Sequence, residues 1–316
     1  MMTFSKKLIA VASAFTLVLT FIGCTSTEPT DTRPTIVATT NVWADIASQV
    51  AGDKFQVVSL INSASQDPHS FEASAREQLA VKNSALFIMN GGGYDDFALK
   101  LASAAEVTPF NVFEVNEAAH AEDGKEDEHA EEGHAHEHAE EGHAHEHDGS
   151  DHIWYDLHVA EHTAELIAAE LSTLQPENAV EFETNAAKFG AEIEVLEERA
   201  ASITSKLSYF EAHPLATLMF SELGFTNLTP EGFAEAEEAG LEPSVKIMNT
   251  ASELIKSGKV DFLAVNRQVT SVSLEKLASI AKEQGIPVIS FDELLPGDAS
   301  YQQWFDGLLT ELAAVK

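Results

Sequence analysis

The sequence has few cysteines and few basic residues, and both shortages narrow what the protein can do. Cys24 is the only cysteine among 316 residues, so no disulfide can form within the chain. The chain has 18 Lys and Arg against 52 Asp and Glu, which gives a formal net charge of −34. A surface this acidic repels the phosphate backbone, so we expect no binding of nucleic acid. The same acidity attracts cations.

Two common catalytic signatures are also missing. The sequence contains neither His-Glu-x-x-His, which places a zinc-bound water beside a base, nor the Gly-x-Ser-x-Gly turn that exposes a nucleophilic serine. An extracellular metallohydrolase is the enzyme alternative, and it would use Glu72, three residues after His69, as its base. We expect a protein that is not an enzyme.

The first residues have the pattern of a secretory signal. Two lysines precede an apolar run over residues 8–22, and Gly23 and Cys24 follow. The position of Cys24 resembles the lipobox of bacterial lipoproteins, in which this cysteine becomes the first mature residue and carries lipid. The alternative is a plain signal peptide with an incidental cysteine. We predict a signal peptide over residues 1–23, a flexible tether over 24–34, and an extracytoplasmic protein anchored to the cell membrane by lipid on Cys24.

A low-complexity stretch near the middle of the chain is rich in histidine and glutamate. The unit HAEEGHAHE occurs twice in succession over residues 129–146. Alanine is its only apolar residue type, so it cannot form a core, and we predict a disordered insertion over about residues 117–150. Imidazole is the commonest side-chain metal ligand, so we favour metal binding over a solvated charge run. The candidate accessory ligands are His120, His129, His134, His136, His138, His143, His145 and His147.

The rest of the sequence alternates between strand-like and helix-like segments. In the first half, strands are predicted at 35–41, 55–61, 85–90 and 108–115, with helices at 42–52, 75–84 and 94–104. Two helices are predicted after the insertion, at 159–176 and 178–207. A second alternating region has helices at 215–223, 243–256 and 273–284 and strands at 260–265 and 286–291. This alternation predicts parallel sheets with right-handed crossovers.

The arrangement of these segments predicts an α/β fold with two (β/α) lobes. The first lobe covers residues 35–176, a linking helix covers 177–207, and the second lobe covers 208–316. Thirty helical residues span roughly 45 Å, which is long for one globular unit and fits a helix that joins two lobes. In open parallel sheets, ligands bind beyond the carboxyl ends of the strands.

Four polar residues near predicted strand ends could form one metal site: His69, His152, His213 and Asp292. Three imidazoles and one carboxylate suit tetrahedral zinc, whereas Mn²⁺ prefers oxygen ligands. His158 could compete as a ligand, and His162 is expected on a helix surface. The residues therefore favour a zinc site.

Several motifs together carry a family resemblance. The opening TTNVWADIASQVAGDKFQVVSLINSASQDPHSFEAS resembles that of the metal-binding lipoproteins of bacterial ABC importers for zinc and manganese. HIWYD, a long helix, EPS and VISFDELLPG follow in the family's order, so the resemblance covers residues 35–316 apart from the insertion. It implies two lobes joined by one rigid helix, with a metal site in the interlobe cleft at the positions of His69, His152, His213 and Asp292. The chain departs from the family at Asn266 and Arg267, near the end of a strand where the family usually has Glu.

The resemblance also implies a function. It indicates a monomeric zinc-binding component that captures Zn²⁺ as a transported ligand and delivers it to an ABC permease and its ATPase. Manganese import is the alternative within the family. A surface zinc store or scavenger that works through the His-rich insertion is the alternative outside it. We expect the insertion to collect zinc for the cleft.

Overall fold

The structure is a computed structural model that describes residues 31–63, 66, 68–118, 151–238 and 240–315. Several predicted features lie outside these residues: the signal peptide, Cys24, and His120, His129, His134, His136, His138, His143, His145 and His147. Among the helices within the described ranges, none combines the length and apolar content needed to cross a membrane.

The first lobe is built on a parallel sheet of four strands in the order β2-β1-β3-β4. The strands are β1 (Thr35–Thr40), β2 (Gln56–Ile61), β3 (Leu86–Met89) and β4 (Phe110–Asn111). The crossover helices are α1 (Asn41–Ala51), α2 (Ala75–Lys82) and α3 (Phe97–Ala105). Strand β1 lies inside the sheet, and its run of Ile36, Val37 and Ala38 is fully buried, as expected for a parallel strand that is covered on both faces.

The second lobe repeats this topology. Its four parallel strands take the order β6-β5-β7-β8. They are β5 (Ser208–Glu211), β6 (Thr226–Asn227), β7 (Phe262–Asn266) and β8 (Val288–Phe291). Its helices are α6 (Thr217–Glu222), α7 (Ala234–Glu238), α8 (Val245–Lys256), α9 (Val272–Gln284) and α10 (Tyr301–Ala313).

Two long helices lie between the sheets in sequence. Helix α4 covers Leu157–Leu174, a 3-10 turn covers Pro176–Asn178, and α5 covers Ala179–Ala201. The buried side chains of α5 recur every three or four residues, from Phe182 through Ala186, Phe189 and Ile193 to Leu196, which is the spacing of one helix face. With 23 residues, α5 spans roughly 35 Å.

Helix α1 is joined by hydrogen bonds to the segment that leaves the second sheet. The side chain of Asn41 donates to the carbonyl of Leu295 over 2.9 Å and accepts from the Leu295 amide over 3.0 Å. Asp45 accepts from the backbone amide of Tyr301, the first residue of α10, over 2.9 Å. The C-terminal helix thus packs against α1 and α5, and the main cluster of buried apolar residues includes side chains from both lobes.

The predicted fold class of two α/β lobes with parallel sheets and a long joining helix is confirmed. Two local predictions were wrong. Residues 112–115, predicted as the end of a strand, belong to a helix over 112–118. The linking helix ends at Ala201, because the following Ser, Ile, Thr and Ser are weak helix formers. Strands β5 and β6 and helices α7 and α10 were not predicted. Strand β6 has only two residues, β5 four and α7 five, which leaves little local signal, whereas α10 has 13.

Candidate metal centre

Three predicted ligand histidines lie next to one another between the lobes. His69 lies in a 3-10 turn (Pro68–Ser70) after β2, and His152 directly precedes another turn, Ile153–Tyr155. Their ring centroids are 5.8 Å apart. The ring of His213, which lies two residues beyond β5, is also 5.8 Å from that of His152. The fold therefore brings together imidazoles from three separate segments.

Glu293 brings a carboxylate to this group. The ligating atoms of His69, His152 and Glu293 all lie within 4.8 Å of one another. Asn266 donates to Glu293 Oε1 over 2.6 Å, and the Tyr94 hydroxyl donates to Oε2 over 3.3 Å. These hydrogen bonds fix the carboxylate two residues beyond β8. Sequence reasoning missed Glu293, because it is the second of two adjacent acidic residues and only the first fits the family motif.

Asp292, the carboxylate predicted as a ligand, makes different contacts. Its Oδ1 lies 3.2 Å from Arg267 Nε. Its backbone is held by Tyr155, whose hydroxyl donates to the Asp292 carbonyl over 2.8 Å and accepts from its amide over 3.1 Å. Burial raises the pKa of the Asp292 carboxyl, and the guanidinium of Arg267 opposes that rise. Asn266 and Arg267, the two departures from the family pattern, therefore bind the two neighbouring carboxylates.

A network of hydrogen bonds holds the segment that carries His152. The buried carboxylate of Asp95 accepts from the backbone amides of Asn90 and Gly91 over 2.8 and 2.9 Å. The Asn90 side chain in turn donates to the carbonyl of Asp151 over 2.8 Å. Asp151 Oδ1 lies 3.1 Å from His152 Nδ1. Such a carboxylate beside a ligand histidine orients the ring.

Aromatic rings line the inner side of the histidine group. The ring of Tyr94 is 4.9 Å from that of His69 and 5.5 Å from that of His152, and Trp154 is 5.2 Å from His152. His152 is fully buried and His213 nearly so, whereas His69 is exposed. Burial lowers the pKa of His152 well below its usual range, and the nearby His213 and His69 lower it further. His152 is thus held as neutral imidazole, the form that binds metal.

Three other residues that the sequence singled out lie in different contacts. His158 Nδ1 is 3.3 Å from Glu197 Oε1, on the linking helix. His162 Nδ1 is 2.8 Å from the side-chain oxygen of Asn116. Glu72 is exposed to solvent. The described structure therefore groups His158 with a second set of side chains, and not with His152.

A buried acid, Glu211, supports the loop that carries His213. It is 2% exposed at the end of β5. Its carboxylate accepts from the amide of Ala216 and the hydroxyl of Thr217, each over 2.8 Å. These contacts close the loop around His213. Burial outweighs the hydrogen bonds and raises the pKa of Glu211 to about 7.

This raised pKa predicts a pH dependence of stability. The folded state holds a proton that the unfolded chain releases above pH 4.5, so the free energy of unfolding falls as pH rises from there to about 7. The expected loss is on the order of 3 kcal/mol, because each pH unit between the two pKa values corresponds to about 1.4 kcal/mol. Glu211→Gln removes the titrating group. Urea unfolding of the metal-free protein at pH 5 and pH 8 should show the variant gaining stability relative to the unsubstituted protein at pH 8, and parallel behaviour of the two would contradict the prediction.

Comparison with known proteins gives a consistent result along nearly the whole chain. Residues 36–315 match the family described as ZnuA, zinc-uptake complex component A, periplasmic. The iron ABC transporter substrate-binding lipoprotein MtsA of Streptococcus pyogenes serotype M6 is 23% identical over 94% of each chain. The manganese ABC transporter substrate-binding lipoprotein PsaA of Streptococcus pneumoniae is 24% identical, over 90% of this chain and 89% of PsaA. A crystal structure of ZnuA has the same fold, with a TM-score of 0.67 at 20% identity over 90% of this chain and 99% of ZnuA.

Proposed function

The chain belongs to the ZnuA family, and we propose that it captures Zn²⁺ outside the cytoplasm and delivers it to an ABC permease. Proteins of this kind are the metal-binding components of ABC transporters, which work with a permease and an ATPase. The proposal rests on the convergence of His69, His152 and Glu293 with ligating atoms within 4.8 Å, beside the ring of His213. We propose these four residues as the ligands, with Asp292 as the alternative carboxylate.

The chemistry of the ligands supports zinc as the cargo. Three imidazole nitrogens and one carboxylate suit a closed tetrahedral Zn²⁺ shell. Mn²⁺ lies lower in the order of affinities and prefers oxygen. The names of relatives do not decide the metal, since MtsA is named for iron, PsaA for manganese and ZnuA for zinc. The proposal of zinc therefore rests on the three imidazoles of this chain.

The origin of the ligands supports capture by closure of the two lobes. His69 follows a strand of the first sheet, whereas His213 and Glu293 follow strands of the second. A metal ion held by all of them ties the lobes together, and its release requires them to separate. His152 lies between His69 on one side and His213 and Glu293 on the other. It is followed closely by Trp154 and Tyr155, and the Tyr155 hydroxyl is hydrogen-bonded to the backbone of Asp292 in the second lobe. These aromatic residues are placed to exclude water from the bound ion.

The remaining parts of the proposal concern the location of the protein. A signal peptide over residues 1–23 would direct export and be removed, and lipid on Cys24 would then hold a monomer at the membrane surface, near its permease. The His-rich stretch from His120 to His147 would collect zinc weakly, because arranging several residues of one low-complexity segment around an ion costs conformational entropy. The cleft would then take the ion with higher affinity.

A zinc titration separates the cleft from the His-rich stretch. Three proteins are compared by native mass spectrometry against a competing chelator: the full chain, a deletion of residues 120–147, and that deletion with His69→Ala. We expect one tightly bound zinc to survive the deletion and to be lost on adding His69→Ala. If tight binding disappears with the deletion alone, the protein acts as a surface zinc store and the import proposal fails. Manganese is titrated in parallel, and tighter binding of Mn²⁺ than Zn²⁺ would contradict zinc as the cargo.

A further inference from the structure

A second group of potential ligands lies on the long helices, apart from the cleft. It consists of His158 and Glu161 of α4 and Glu197 of α5, whose ligating atoms all lie within 4.8 Å of one another. His158 Nδ1 is 3.3 Å from Glu197 Oε1. This group shares no residue with the histidine group of the cleft. Its residues also lie on helices whose positions are fixed by packing, and helices hold the geometry of a binding site more precisely than loops do.

The two helices place these side chains on facing surfaces. His158 and Glu161 are three residues apart, so they lie on the same face of α4. That face meets α5, where Gly190 stands opposite Glu161. A Cβ atom added at Gly190 would lie only 2.6 Å from Glu161 Oε1. Glycine inside a helix costs roughly 1 kcal/mol relative to alanine, and here its missing side chain leaves room for a carboxylate between the helices.

The electrostatics of this group favour a cation. Burial raises the pKa of Glu161, and the nearby carboxylates of Glu197, Glu165 and Glu194 raise it further, while His158 opposes the rise. The pKa of Glu197 is likewise raised by burial, opposed first by His158. One imidazole thus faces a surplus of acidic groups. A divalent ion would offset the repulsion among them more fully than a single protonated histidine does.

A cavity next to the group leaves space for further ligands. It has a volume of about 310 Å³ and lies between α4, α5, α6 and α10. His158 and Glu197 form part of its wall, together with Glu222 and the basic Lys206. The wall is partly apolar, but its polar side and its volume leave room for several water molecules. An ion held by three protein ligands could complete its coordination with water from this cavity.

We propose that His158, Glu161 and Glu197 form a second cation site, which binds a divalent transition metal of the Mn²⁺ type independently of the cleft. Two carboxylates supply the oxygen ligands that Mn²⁺ prefers, and one imidazole adds a nitrogen ligand that transition metals accept. His158 is 58% exposed, so the ion exchanges with solvent and binds more weakly than an ion in the buried cleft. A bound ion would tie the first turn of α4 to the linking helix. That turn directly follows the segment of His152 and Tyr155, but the two sites take their ligands from different residues.

Equilibrium dialysis of the full chain against Mn²⁺, with bound metal counted by elemental analysis, tests this proposal. Four proteins are compared: the unsubstituted chain, His158→Ala, Glu197→Gln, and the control Glu170→Gln, which changes an exposed carboxylate on the same helix. We expect His158→Ala and Glu197→Gln to lose about one Mn²⁺ per chain and the control to lose none. Binding to the cleft and to the His-rich stretch is common to all four proteins, so it cancels in the differences.

Two results would overturn the second site. One is equal Mn²⁺ binding by all four proteins, and the other is an equal loss in the control, which would indicate a general effect of surface charge. Thermal unfolding of each variant establishes that it is folded, as expected for changes at exposed or half-buried positions. The tight zinc binding of the cleft is measured in the same variants and should be unchanged. The proposal of a second site can therefore be contradicted without contradicting the proposal of zinc transport, and the reverse also holds.

Discussion

His152→Ala is expected to abolish tight zinc binding, with a loss of affinity of more than about 100-fold. Removing a group that only supports a metal ligand commonly costs 10- to 100-fold, so loss of a ligand should exceed that range. His152 has the most central position of the proposed ligands, since its ring lies 5.8 Å from both His69 and His213. It is also fully buried and held neutral by its surroundings, so it needs no deprotonation before the metal binds.

The control for this experiment is His162→Ala, which removes an imidazole ten residues further along the same segment. His162 contacts Asn116 and belongs to neither of the two ligand groups. Zinc affinity is measured by competition with a chromophoric chelator in both variants, and circular dichroism checks their fold. Equal affinities in the two variants would show that His152 does not bind the metal. The proposed ligand set would then lack its central member, the histidine that lies between His69 and His213.

The fold could be predicted from sequence because the signals for it are local and strong. Buried parallel strands such as β1 appear as short β-branched runs, and the helices between them as apolar residues at helical spacing. The failures occurred where the local signal is weak. Strand β4 pairs over only two residues and then turns into a helix at Val112, so its apolar run FNVF does not distinguish the two states. The linking helix was predicted too long, since nothing as decisive as proline marks its end.

That the three histidines lie together could be predicted, whereas which of two adjacent carboxylates lies beside them could not. His69, His152 and His213 fall where the resemblance and the strand ends both indicate, and the structure brings their rings together. Asp292 and Glu293 are adjacent, and consecutive residues point in different directions. Which of them faces the histidines depends on the partners that the second lobe provides. Two of these partners are Asn266 and Arg267. They lie beside Asp292 and Glu293 only because β7 and β8 are neighbours in the sheet.

The second ligand group shows the same limit. His158 was considered as a competitor of His152 because the two are close in sequence. Its actual partners are Glu161, one turn along α4, and Glu197, about forty residues away on the linking helix. Only the packing of α4 against α5 reveals that pairing. A spacing argument within one helix could have suggested Glu161, whereas Glu197 could not have been found without the fold.

Glu293→Gln is expected to weaken zinc binding by at least about tenfold, whereas the neighbouring Asp292→Asn should leave it nearly unchanged. Glu293 offers a charged oxygen within 4.8 Å of the ligating atoms of His69 and His152, and an amide oxygen is a much poorer zinc ligand. Gln keeps the size of the side chain and can still accept the hydrogen bond from Asn266. The loss would therefore report the missing charge and not a collapse of the site.

Asp292→Asn is a closely matched control, because it makes the same chemical change one residue earlier. Its carboxylate is 9% exposed and pairs with Arg267, whose side chain is 57% exposed, so water can solvate the guanidinium when the substitution removes the charge of its partner. The backbone bonds of residue 292 with Tyr155 are unaffected by the substitution. Zinc affinities of both variants are measured by the same chelator competition. A larger loss for Asp292→Asn would show that Asp292 turns from Arg267 to the metal when the ion binds, as the family resemblance implies. A larger loss for Glu293→Gln would establish Glu293, whose carboxylate accepts a hydrogen bond from Asn266, as the carboxylate ligand in this chain.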